Sequence, residues 1–74
     1  MNEDELIEKL ANLEHEQWIK WSKTISEQER ISEERRVRWQ KYFVPYSELT
    51  EEVKEYDRVW ARKIVKLLKS EGVL

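Results

Sequence analysis

Pro45 is the only proline and Gly72 the only glycine in this chain of 74 residues. These two residue types break or loosen helices, so the chain upstream of Pro45 and between Pro45 and Gly72 meets no intrinsic helix breaker. Glu, Lys, Arg, Leu and Gln dominate those stretches, and strand-type alternation is almost missing. The expectation is an all-α fold: a single domain over residues 1–74, three helices in a compact arrangement, with a Pro-containing bend between the second and the third.

Capping chemistry places the helices. Asn2 with Glu5 three residues on has the spacing of a capping box. The first helix should start there and fade around Thr24 to Glu29, with Ser26 available to cap a new start. At about 100° per residue, Leu6, Leu10, Leu13, Trp21 and Ile25 share one face, Ile7 and Trp18 lie at its edge, and Glu14 and Gln17 fall inside it. A carboxylate within an apolar stripe is costly unless paired, so Glu14 should meet a cation or line a cavity.

Ser32 followed by Glu33 and Glu34 suits the positive end of a helix dipole, and predicts a second helix from Ser32 to about Val44. Its apolar residues point several ways: Val37 with Val44, Trp39 with Phe43, and Tyr42 elsewhere. Pro45 pushes Val44 toward extended geometry. Thr50 is a natural N-cap for a third helix reaching Ser70, with Gly72 as its C-terminal cap. Val53, Tyr56, Trp60, Ile64, Leu67 and Leu68 should form its buried face, with Asp57 inside it.

Size and composition limit the classes available. A core of this size seldom supplies more than ~3–5 kcal/mol. The chain has no Cys and one His, which removes disulfides and thiolate metal sites. Self-association is the remaining device, and a homo-oligomer is expected. With 41% charged residues and a net charge of −2, the surface has no dominant sign, so a nucleic-acid polymer is an unfavoured partner. The apolar runs are far shorter than the ~20 residues of a membrane span. The acidic N-terminus lacks a signal-peptide h-region, and a cytoplasmic location is expected.

Charge is segregated. Residues 1–16 carry six acids against Lys9, whereas residues 58–69 carry Arg58, Arg62, Lys63, Lys66 and Lys69 without an acid. The blocks would attract if the first and third helices ran antiparallel, or across a head-to-tail contact.

Catalytic signals are weak. A nucleophile needs a base and an orienting group, and here there is no Cys and no Gly-flanked Ser. His15 lies alone between Glu14 and Glu16, and no metal-ligand spacing is present. Glu14 and Asp57 could form an acid–base pair only if the fold brings them together. No enzyme activity, catalytic residue, metal or cofactor is expected.

Aromatic residues interleaved with cations carry more information. Four Trp and three Tyr is a high number for this length. Rings also fill a small core efficiently, each burying about 150–250 Å². Arg35, Arg36, Arg38, Trp39, Lys41 and Tyr42 lie close together, and Tyr46 follows the bend. Stacked rings hold nucleobases and guanidinium forks hold phosphates. Arg stems lying over Trp rings on an amphipathic helix would produce the same pattern.

Two stretches resemble the ryanodine-receptor repeat domain family, in particular its small free-standing bacterial and phage members. His15-Glu16-Gln17-Trp18 resembles a His-Glu-x-Trp pattern. Val44-Pro45-Tyr46 with Leu49, followed by Lys54, Asp57 and Arg58, resembles Val-Pro-Tyr-x-x-Leu and Lys-x-x-Asp-Arg. A Gly-Trp-x-Tyr-Gly-like segment usual between them is replaced by the glycine-free stretch from Ser26 to Arg38. The resemblance implies a helical module without catalytic machinery, of a kind that in some members binds adenine nucleotides, with His15, Trp18, Tyr46, Lys54, Asp57 and Arg58 as the matching positions.

The resulting expectation is a non-enzymatic module that binds or sequesters a small anionic, nucleotide-like ligand, such as a nucleotide signal in a phage-infected host cytoplasm. Trp39, Tyr42 and Tyr46 would stack, and Arg35, Arg38 and Arg58 would meet phosphates. The alternative is a protein-interaction or assembly module in which the same aromatics bury against a second chain.

Overall fold

The computed structural model of the chain describes residues 2–74. Three α-helices, α1 (Glu3–Gln28), α2 (Glu33–Gln40) and α3 (Glu51–Ser70), are joined by a short link and by a bend that holds a 3-10 turn at Tyr46–Glu48. The fold is all-α, with no strand among the described residues.

Local chemistry sets the helix ends. The side chains of Asn2, Ser32 and Thr50 accept hydrogen bonds from the backbone N–H groups of Glu5, Arg35 and Val53, each three residues on. Gly72 adopts a left-handed backbone with φ of 74°. There Gly72 N–H donates to the Lys69 carbonyl and Val73 N–H to that of Leu68, the paired bonds of a Schellman cap.

Ser26 caps nothing: its hydroxyl donates back to the Ser22 carbonyl, and α1 runs through to Gln28. α2 stops at Gln40, four residues short of the expected end. Tyr42 N–H donates to Trp39 and Phe43 N–H to Gln40, so the chain leaves the helix in tight i→i+3 turns before the proline. This re-aims Tyr42. Its ring meets Trp18 at 6.3 Å instead of pointing elsewhere.

α1 and α3 run antiparallel. Glu3 pairs with Lys69, and His15 faces Asp57, twelve residues further along α1 and twelve earlier on α3. The bend packs across one side of this hairpin. Ala11, Ala61, Tyr46 and Leu49 form the buried cluster, with Ile7, Leu10, Val44 and Val53 against it.

The buried faces differ from those the apolar periodicity indicates. On α1, Ala11, His15 and Ser22 are buried, while Leu13 and Trp21 are 60% and 51% exposed. On α3, Ala61 and Val65 are buried, while Tyr56, Trp60 and Leu67 lie mostly in solvent. The reason is steric. Two helices cross closely where both present Ala, and each bulky stripe is turned about a quarter to a third of a revolution away from that contact.

Candidate functional site

The His-Glu-x-Trp stretch and the Val-Pro-Tyr stretch meet directly. The buried His15 donates from Nε2 to the Val44 carbonyl at 2.7 Å. Because a carbonyl only accepts, this bond places a proton on Nε2. The other nitrogen, Nδ1, faces Asp57 Oδ2 at 3.8 Å, too far for a hydrogen bond. Burial pushes the Asp57 carboxyl up, an effect opposed by His15 and reinforced by the nearby Glu14. Glu14 is thus near Asp57 and is half-buried.

Beside this pair is a half-open cavity of about 230 Å³, lined by His15, Trp18, Tyr42, Val53, Tyr56 and Asp57. Trp18 is its aromatic centre. Its ring lies 15° from parallel to His15 at 6.0 Å, and meets Trp39 and Tyr42 edge-on at 6.1 and 6.3 Å and Phe43 at 5.6 Å. Trp21 extends the cluster to Trp39. Edge-on packing of this kind holds rings in fixed orientations.

A second cluster braces the bend. Tyr46 is buried, and its hydroxyl donates to Glu8 Oε2 at 2.8 Å. Burial first, and then this bond to a carboxylate, push the phenol up to about 12. Arg58 donates to the same carboxylate and pairs with Glu51 at 2.8 Å, with Glu55 further off at 4.0 Å. The guanidinium holds Glu8 below the usual carboxylate range, and Glu8 and then Glu51 push Arg58 further up. Lys54 is drawn to Glu51 and lies 5.3 Å above the Tyr46 ring.

The ten expected site residues therefore divide. His15, Trp18, Tyr42 and Asp57 line the cavity. Trp39 backs Trp18 from outside, with Arg35 over its ring at 6.0 Å. Tyr46, Lys54 and Arg58 belong to the bracing cluster. Arg35 and Arg38 lie exposed on α2, apart from the cavity wall. Val53 and Tyr56 complete the wall and were not among the expected ligand residues. The adjacency of Tyr56 to Asp57 was the available signal, hidden by assigning Tyr56 to a buried stripe. Among the described residues no three His, Asp or Glu side chains converge as a metal site would.

A family model for the RyR domain matches residues 1–74, the whole length of the chain. The chain belongs to the RyR domain family. No curated protein and no solved structure matches it. In this RyR domain the two motif stretches touch through the His15 bond to Val44, and the cavity opens where they meet. No described helix is long and apolar enough to cross a membrane.

Proposed function

We propose that this RyR domain is a non-enzymatic binding module that takes up a small nucleotide-like ligand, ring end first, in the cavity between Trp18, Tyr42 and Tyr56. The observation that carries this reading is the combination of three rings with the unbridged 3.8 Å gap between His15 Nδ1 and the Asp57 carboxylate in one opening. A planar guest stacks on the rings, and an N–H group on it donates to the Asp57 carboxylate. At about 230 Å³ the cavity falls below the ~300–1,000 Å³ of drug-sized sites, and so suits a single ring system rather than a whole nucleotide.

The anionic end of such a ligand then lies outward in solvent. Arg58 is committed to Glu8 and Glu51, and no guanidinium lines the cavity. Sequestration of a nucleotide in the cytoplasm, with no chemical change to it, is the role that fits such a site.

Titration with nucleosides and nucleotides, read by Trp fluorescence and thermal shift, tests this. A bound ligand at a hundred times its dissociation constant adds about 2.7 kcal/mol of stability. Absence of any shift across the purine and pyrimidine series would refute it, and turnover of the ligand would refute the non-enzymatic part.

A further inference from the structure

The side of the α1/α3 hairpin opposite the bend carries an exposed apolar stripe, bounded at one end by Trp21, which touches Trp39 of α2, and by Tyr56, which edges the cavity. On α1, Leu6, Leu10, Leu13, Gln17 and Trp21 recur at alternating steps of three and four. On α3, Tyr56, Trp60, Lys63 and Leu67 do the same. That spacing is the one by which helices pack side by side in bundles. Each stripe is rotated from the α1/α3 contact in the sense that, for antiparallel helices, brings both to the same side. Tyr56 is 70%, Trp60 57%, Leu13 60% and Leu67 59% exposed. Lys63 Nζ lies 4.2 Å from the centre of the Trp60 ring.

We propose that this face is the interface with a second copy of the chain, forming an antiparallel four-helix bundle about a two-fold axis parallel to the helices. Three observations favour a second copy as the occupant. The first is area. Trp60, Leu13, Leu67 and the outward parts of Trp21 and Tyr56 leave on the order of 500 Å² of apolar surface, given about 150–250 Å² per ring, toward the upper end of the ~300–600 Å² of a monomer's largest patch, a size that is often functional. With its polar rim the face approaches the ~800 Å² that each partner contributes to a stable dimer.

The second is thickness. The molecule measures 44 × 23 × 15 Å, and Leu13, Trp60 and Leu67 on the face away from the bend are each more than half exposed. A helical domain needs a second layer over an apolar face, and another hairpin of the same spacing supplies one.

The third is rim charge. The pairs Glu3–Lys69 and His15–Asp57 put Lys20 level with Glu52. Both are exposed, on opposite edges of the face. A two-fold axis parallel to the helices sets α1 of one copy on α3 of the other and preserves every level. Lys20 then lies beside the Glu52 of the partner subunit, twice per dimer.

Sedimentation equilibrium on the full chain tests this, with circular dichroism to verify helix content. The wild type should sediment at twice its 9.2 kDa chain mass. Leu13→Glu and Trp60→Glu should each yield helical monomers. Lys20→Glu and Glu52→Lys should each weaken the dimer by up to about twenty-five-fold, about fivefold for each of the two exposed ion pairs lost, and the double reversal should restore it. A monomeric wild type overturns the proposal. So does a dimer that Leu13→Glu and Trp60→Glu leave intact, or charge reversals whose combination fails to recover affinity. Because the reversals sit on exposed rim positions, they keep the test decisive even if Trp60→Glu does not fold.

Discussion

His15 Nε2 donates to the carbonyl oxygen of Val44 across 2.7 Å, tying the middle of α1 to the residue before Pro45. Pro45 offers no N–H, and Val44 lies outside any helix, so this carbonyl depends on a side chain for its partner. The bond positions the bend, and with it Tyr42 on one side and Tyr46 on the other.

Truncating His15 to Ala should remove that bond, leave the carbonyl unsatisfied and open a cavity, at about 2–4 kcal/mol together. A domain of this size holds roughly 3–5 kcal/mol in its core. Urea denaturation should therefore show His15→Ala largely unfolded without denaturant, with partial recovery in His15→Gln, whose amide can still donate.

Tyr46→Phe should cost about 1–2 kcal/mol, the loss of a hydrogen bond to a carboxylate. Its alkaline behaviour separates this bond from packing. The folded phenol is raised from 10.0 to about 12, so its contribution is complete below the unfolded value and is lost as pH rises through about 12. Thermal melts of the wild type should fall across that window, while Tyr46→Phe should lack this component. Glu8 acts at the opposite end. Its folded value is depressed by Arg58, so its contribution is present above the ordinary carboxylate range and disappears as pH drops through the depressed value.

Asp57→Asn should stabilise the protein at neutral pH. Burial raises the folded carboxyl above its ordinary value, so the ionised form costs stability once pH exceeds that raised value. Below the ordinary Asp range both states hold the proton and the cost vanishes. Melting temperatures of wild type and variant should converge in acid and separate toward neutrality. The same substitution replaces the carboxylate with a neutral amide, a weaker acceptor, so binding of an amino-bearing base should weaken even as the fold gains.

Ligand affinity should follow the cavity wall and not the arginines of α2. Tyr42→Ala removes a stacking ring and should cost about 1–3 kcal/mol of binding, whereas Arg38→Ala should leave affinity unchanged. Nucleoside and nucleotide should bind alike, with little dependence on salt, because no cation lines the opening. Strong salt dependence measured by calorimetry would relocate the site to the exposed guanidinium groups.

Much of the path of the chain was legible in local chemistry. Asn2, Ser32 and Thr50 cap helices through bonds spanning three residues, and Gly72 ends α3 because it tolerates a positive φ. Such interactions involve neighbours in sequence, so residue type and spacing suffice to place them. The segregated charges likewise met as expected, at Glu3 with Lys69 and Glu8 with Arg58.

Which faces became the interior was decided only in three dimensions. Periodicity weighs large apolar side chains, and so marks Leu13, Trp21, Trp60 and Leu67. The contact between α1 and α3 instead selects Ala11 and Ala61, both fully buried, because small residues let two helices approach and weigh little in any hydrophobic stripe. Tyr42 and Tyr56 came to the cavity for related reasons: α2 ended early, and α3 presented a different face. The amino-acid order determined where helices begin and end; the closeness of their approach determined what they bury and what remains exposed.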